Sequence, residues 1–249
     1  MKPTTIAIAL VASAVGASSH AQFVAVSTNP YAWSENAGWI SFAPIDAATP
    51  NDIDATQQPF FGPLNIDGLG VASGFAWAEN LGWINLGDGS PADGVQYGNT
   101  DGSDFGVNIT EEQFDPSVRN LTGFAWSENA GWINFGPFDP SVTPAVGLCQ
   151  PGPVQARIEL SSSRLRGFAW AENFGWINFD ACDAGQFVFV RCLADVNEDT
   201  QTTPADFNAW VLAFNTGSIR ADQNRDGFVT PADFNVWVIN YNACVALGS

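Results

Sequence analysis

The sequence predicts an all-β repeat domain followed by a small α-helical module, and three observations carry that prediction. A tryptophan motif recurs four times, as "YAWSENAGWISF" from Tyr31, "GFAWAENLGWINL" from Gly74, "GFAWSENAGWINF" from Gly123 and "GFAWAENFGWINF" from Gly167. The first tryptophans of the copies, Trp33, Trp77, Trp126 and Trp170, are 44, 49 and 44 residues apart, a regular period of the kind repeat architectures show. Beyond the last copy, two aspartate-rich segments align at a shift of 27 residues, and each runs into an apolar pattern with helical spacing.

Residues 1–21, "MKPTTIAIALVASAVGASSHA", combine one lysine, an apolar run of about a dozen residues and a small-residue end. They read as a secretory leader cleaved after Ala21, too short to span a bilayer, and no later stretch is long and apolar enough for a membrane helix. A soluble, exported protein is expected, secreted or at the cell surface. Cleavage removes Lys2 and His20, the only lysine and the only histidine. Triads, Cys-His pairs, His-ligated zinc and Schiff-base chemistry are thereby excluded, and only carboxylate chemistry or none remains. Seven arginines against 26 acids leave the mature chain at −19, which argues against nucleic acid and anionic membranes as partners.

Residues 22–190 form the predicted repeat domain. Within each copy "GFAW" and "GWINF" read as two short strands, and the five residues between the tryptophans read as a turn that Asn and Gly close. In the second copy Phe75 and Trp77 share one face, while Ile84 and Leu86 share a face that Trp83 and Asn85 do not. Apolar groups therefore lie on both faces of the hairpin, which calls for cover on both sides. Further strands are expected at "FVAVS", "VQYG", "FGVNI", "ARIEL" and "QFVFVRC", with the first and last closing the ring. Three or four strands per repeat fit a four-bladed, propeller-like arrangement, with a sandwich or barrel of stacked hairpins as the alternative. "APIDAATPNDIDATQQP" and "GDGSPADG" are polar connectors, and Asp101 and Asp104 in "NTDGSDFG" suit an acidic turn or a further calcium site.

The motif has two functional readings. Indoles stack on sugar rings and Glu-Asn can bond hydroxyls, so four copies suit a multivalent polysaccharide binder. The same residues also fill a β core and satisfy a turn, and the near-constancy of the hairpin beside variable connectors favours that interior role. A glycosidase needs two carboxylates at a set separation, but Glu35, Glu79, Glu128 and Glu172 recur by symmetry rather than converging on one cleft. A non-catalytic protein is expected. The repeats also look like Trp-rich repeats of secreted bacterial proteins, for which no function follows.

Residues 191–246 form the predicted module. Each of its two segments opens with Asp-x-Asn-x-Asp and places another Asp at loop position twelve, the spacing that wraps oxygen ligands around calcium. The first set is Asp195, Asn197, Asp199, the Gln201 carbonyl and Asp206, and the second is Asp222, Asn224, Asp226, the Phe228 carbonyl and Asp233. Phe207, Trp210, Val211 and Phe214, and then Phe234, Trp237, Val238 and Tyr241, give the two following helices one aromatic face each. Two Ca2+ sites are expected, with folding coupled to the metal. The first should be weaker, because Thr200 replaces the glycine of position six.

Across residues 193–243 this duplicated loop-helix pattern, with aspartate at position twelve and no helix ahead of each loop, resembles a type I dockerin. The resemblance implies docking to a cohesin-like module on an extracellular scaffold or cell surface, and association with glycoside hydrolases. Pro204-Ala205 and Pro231-Ala232 depart from the usual recognition residues at positions ten and eleven, so the identity of the partner does not carry over. The four cysteines, Cys149, Cys182, Cys192 and Cys244, are even in number in an exported chain and allow three disulfide pairings. Cys149 with Cys182 and Cys192 with Cys244 is favoured, since the second pair brackets the duplicated unit.

Overall fold

The structure is a computed structural model that describes residues 22–43, 64–111, 115, 117–139, 154–181 and 186–247. The leader, most of the first connector, Cys149 and Cys182 lie outside the described residues. Each tryptophan motif folds as an antiparallel hairpin. The hairpins join β1 (Phe23–Ser34) to β2 (Gly38–Ser41), β4 (Ala72–Ala78) to β5 (Gly82–Asp88), β7 (Val118–Ser127) to β8 (Gly131–Asn134) and β11 (Phe168–Ala171) to β12 (Gly175–Asn178). The other strands are β3 (Asn65–Ile66), β6 (Val107–Glu111), β9 (Arg157–Glu159), β10 (Arg164–Arg166), β13 (Asp180–Ala181) and β14 (Gln186–Cys192). The segment "VQYG" is not a strand. Tyr97 is instead pinned in a loop, its amide donating to Asn108 Oδ1 and its hydroxyl to the Ala72 carbonyl.

All 14 strands belong to one antiparallel sheet. The hairpins pair edge to edge at equivalent positions: Ile40 and Ser41 face Ala78 and Trp77, Ile84 and Asn85 face Ser127 and Trp126, Ile133 and Asn134 face Ala171 and Trp170, and Ile177 and Asn178 face Ser34 and Trp33. The pairings β1–β2–β4–β5–β7–β8–β11–β12 thus return to β1, so the hairpins form a continuous closed circuit rather than separate propeller blades. Closure leaves no unpaired edge around this ring.

A second circuit lies beside the first. It runs from the start of β1 through β3 and β4, across the Val71–Asn108 bridge to β6, then through β7, β9, β10 and β14 back to β1. The expected pairing of the first and last strands is present, with Phe23 opposite Cys192 and Ala25 opposite Val190. The chain passes between the circuits at the glycine that opens the motif. Gly123 and Gly167 have φ of 91° and 78°, and a Cβ there would stand 2.4 Å from the Gly106 carbonyl oxygen and 2.2 Å from that of Gln155. Only glycine combines that backbone conformation with so close an approach.

The inner face corrects the expected role of the tryptophans. Ala32, Ala76, Ala125 and Ala169 point inward with Ile40, Ile84, Ile133 and Ile177, and all are buried. Phe42, Leu86, Phe135 and Phe179, at one motif position, are buried too, and the Phe179 ring packs 5.4 Å from Phe42 and 5.7 Å from Phe135. The indoles stand on the outer wall, where Trp39, Trp77, Trp83, Trp126, Trp132 and Trp170 are 37–40% exposed. A ring of eight strands has room for side chains of modest size only, and alanine, isoleucine and phenylalanine fill it.

The helical part comprises α1 (Pro204–Thr216) and α2 (Ala232–Leu247), with a short 3₁₀ turn at Ile219–Ala221. Thr203 caps α1 by accepting from the Ala205 amide, and Pro204 supplies the preset φ of the first turn. Helices and barrel share one apolar core, in which Val190, Ala194, Val196, Trp210 and Trp237 belong to the same cluster as the ring residues. The position 190/191, where composition separates the two parts, falls inside β14. The expected Cys192–Cys244 disulfide is formed, closing a separation of 52 residues. Among the described residues no helix is long and apolar enough to cross a membrane.

Candidate functional site

Two regions carry chemistry beyond packing. The first is the pair of aspartate loops. Loop one starts three residues after β14, so Asp195 is positioned by the sheet itself, and Leu193 extends the pairing by donating to the Gln22 carbonyl at 2.9 Å. Asp195 Oδ1 accepts from the Asp199 amide at 3.2 Å and Oδ2 from that of Thr200 at 3.0 Å. Asp206 Oδ1 accepts from the Asn197 amide at 3.1 Å and Oδ2 from that of Thr203 at 2.8 Å. Loop two repeats the scheme, with Asp222 Oδ2 accepting from Gly227 at 2.9 Å and Asp233 from Asn224 and Thr230 at 3.2 and 2.8 Å. Asp199 and Asp226 each accept from the backbone amide two residues on and from the Asn two residues back. The position-twelve carboxylates thus also cap their helices, which is a structural role in its own right.

The outer positions of both sets, Asn197, Asp199, Gln201, Asn224, Asp226 and Phe228, are exposed, whereas Asp195, Asp206, Asp222 and Asp233 are buried. Burial pushes the Asp195 carboxyl up to about 6, with the nearby Asp206 adding to the shift and Arg191 opposing it. Burial likewise raises Asp222. Buried carboxylates are costly, and Arg191 near Asp195 and Arg225 near Asp222 offset that cost only in part, since both carboxyls remain raised. Asp222 Oδ1 is moreover buried with no hydrogen-bond partner among the described residues. The donor types at positions 1, 3, 5, 7 and 12 are those a hard cation takes, and their convergence on one would offset the buried charge. Among the described residues no group of three or more His, Cys, Asp or Glu side chains is so arranged that it could hold a metal ion.

The loops are tied to each other. Trp210, on the helix after loop one, donates its Nε1–H to the Ala221 carbonyl just ahead of loop two at 3.1 Å. Trp237, on the helix after loop two, donates to the Ala194 carbonyl just ahead of loop one at 3.2 Å. The rings of these tryptophans lie 6.4 Å apart in the helix interface. The 27-residue repeat predicted the two buried indoles, but the exchange of hydrogen bonds between halves has no signature in either half alone.

Thr200 stands at φ 71°, where its counterpart Gly227 stands at 85°. A β-branched residue in the left-handed region costs about 1–2 kcal/mol. Thr200→Gly removes that strain at a cost of about 0.5–1 kcal/mol in unfolded-chain entropy. The variant should therefore gain a few tenths to about 1 kcal/mol in urea-midpoint stability, and a loss of stability would show that Thr200 makes an offsetting contact.

The second region is the aromatic wall. Each hairpin carries a Trp–Trp pair on the outside, with ring centroids 4.7, 4.8, 4.8 and 5.0 Å apart and edge-to-face geometry. Tyr31, Phe75, Phe124 and Phe168 extend the pairs, packing 6.3, 6.0, 6.1 and 5.8 Å from the second indole. At the hairpin tips Glu35, Glu79, Glu128 and Glu172 are exposed. The neighbouring Asn36, Asn80, Asn129 and Asn173 donate to the carbonyls of Phe174, Ala37, Leu81 and Ala130, at 3.1, 3.2, 3.0 and 3.2 Å, and so clip each tip to the next. The asparagines therefore serve the ring rather than their own turns. Asp101 bonds Ser103, and Asp104 accepts from the Ala92 and Gly98 amides, so both act as turn caps.

In comparisons with known proteins, the chain matches no protein-family model, no curated protein and no solved structure.

Proposed function

We propose that this is an exported, non-catalytic protein whose C-terminal unit binds two calcium ions and docks the β-repeat barrel to an extracellular or cell-surface partner of cohesin type. One observation carries the reading most directly: Asp222 Oδ1, a buried carboxylate oxygen with no hydrogen-bond partner among the described residues, lies at the first position of a loop whose spacing is that of a calcium loop. The metal would supply charge neutralisation in the loops and fix the entry to each helix. Leu212 and Ile239, which occupy the same place in the two halves, are 66% and 53% exposed, and they offer the apolar contact a docking partner needs. Thr200 and Gly227 differ at position six, so the second site is the tighter of the two.

Calorimetric titration of the full mature protein with calcium tests this. Two ions per chain are expected, falling to one in Asp206→Ala and in Asp233→Ala. Capture of a cohesin-type module should be lost in excess EDTA. No calcium uptake at millimolar concentration, or capture that persists in EDTA, would sink the reading.

A further inference from the structure

Phe138 packs 5.4 Å from Trp176 at the seam between the third and fourth hairpins, and the seam between the second and third has the same arrangement. There the loop after β5 folds back on the wall, so that Phe105 packs 5.1 Å from Trp132, and a cleft of about 90 Å³ opens beside the third tryptophan pair. Asn85, Asp88, Ser90, Ser103, Asp104 and Phe105 line it. Asn85 is paired across the seam with Trp126, which places the polar cleft and the Trp126–Trp132 pair on one face.

We propose that this seam binds a neutral sugar ring of an extracellular polysaccharide, the exposed indole of Trp132 receiving its C–H face with Trp126 flanking it edge to face, and the cleft its hydroxyls. The polar groups are of the right kind. Asp88 Oδ1 accepts from Ser90 N at 2.8 Å, and Asp104 Oδ1 and Oδ2 accept from Ala92 and Gly98 at 3.1 and 2.9 Å. The carboxylates are thus oriented by backbone amides, and each oxygen keeps a second lone pair for a hydroxyl. Ser90 adds a hydroxyl that donates or accepts, and Ser103 one that accepts, its proton being given to Asp101 Oδ1 at 2.6 Å.

Charge selects among occupants of the wall. The chain carries a net charge of −18, with Asp88, Asp104 and four exposed tip glutamates close to the wall. A second copy, an anionic lipid surface and an acidic polymer are all repelled by it. A polyhydroxylated neutral chain is not, and it meets both the aromatic and the acceptor groups. The other three tryptophan pairs repeat the platform, and the cleft beside Trp132 makes the seam at Phe105 the anchoring point. The proposal is independent of calcium at the C-terminal loops.

Affinity electrophoresis of the full mature protein through gels holding hydroxyethylcellulose, xylan, galactomannan or laminarin tests it, in calcium and again in EDTA. Retardation by at least one polymer is expected in both conditions. Trp132→Ala should weaken it about tenfold or more, Trp132→Phe less, and Trp39→Ala on the first hairpin least. Melting midpoints of the variants separate lost binding from lost fold, and Trp132→Phe keeps an aromatic ring where the alanine variant unfolds. Mobility unchanged by all four polymers, retardation that survives Trp132→Ala in the folded variant, or concentration-dependent self-association without any polymer response overturns the proposal.

Discussion

Replacing Phe179 by alanine is expected to lower stability by about 3–5 kcal/mol, the range for truncating a fully buried phenylalanine. Phe179 has no exposed surface and packs against both Phe42 and Phe135 in the centre of the barrel. The ring is closed by hydrogen bonds on every side, which leaves the walls little freedom to collapse into the cavity, so the loss belongs at the upper end. Phe207, 40% exposed on α1, is the control. Its truncation removes ring contacts to Phe234 and Trp237 from a half-exposed position and should cost about 1–2 kcal/mol. Urea unfolding of the two variants provides the comparison. Equal losses would mean that the fourth hairpin is not held against the first and third, and the closed circuit would be untenable.

That layer shows what was legible in the sequence and what was not. Hairpins, turn glycines and alternation were legible because each depends on neighbours within a dozen residues. Gly38, Gly82, Gly131 and Gly175 all adopt positive φ, as the turn chemistry requires. Bulk alone does not tell the inner face from the outer, since the hairpin is apolar on both and the indoles stand outside. The signal that separates the faces lies in the other parity, where Ala32, Ala76, Ala125 and Ala169 are uniformly small and fully buried. An alanine at the same inward position of all four hairpins implies a narrow closed ring. Closure itself was beyond local reading: Trp33 pairs with Asn178, and Asn36 reaches the Phe174 carbonyl 138 residues away. Such contacts follow from the number of hairpins and their stagger, and no single copy encodes either. The loops were legible in spacing, whereas the burial of Asp195 and Asp222 depends on how β14 and the helices enclose them.

With calcium chelated, the protein should lose stability as the pH rises from about 4.5 to 7. The buried Asp195 carboxyl is pushed up to about 6 and Asp222 is raised, both from an ordinary value of 3.8. Between the unfolded and folded values the native loops hold protons that the unfolded chain has released, so stability falls with rising pH and the loss is complete above the folded values. Asp93, Asp101, Asp115 and Glu159 are lowered instead, by hydrogen bonds to backbone amides or serine hydroxyls. Their contribution has the opposite sign. It is present above their unfolded values and is lost only as the pH falls through the lower folded ones, which places it at the acid edge of this window or beyond. Calcium bound as proposed would reverse the trend, since it needs both loops ionised and would offset the burial of their charge. At pH 7, with free calcium 100 to 1,000 times its dissociation constant, the gain should be about 3–4 kcal/mol for each proposed site that fills, and it should shrink toward zero near pH 4.5 as protons compete for Asp195. Urea midpoints with calcium and with EDTA at three pH values measure both slopes. Because Trp210 and Trp237 each clip the opposite loop, Asp233→Ala should also reduce the increment that loop one contributes. A calcium increment independent of pH would move the binding site away from these carboxylates.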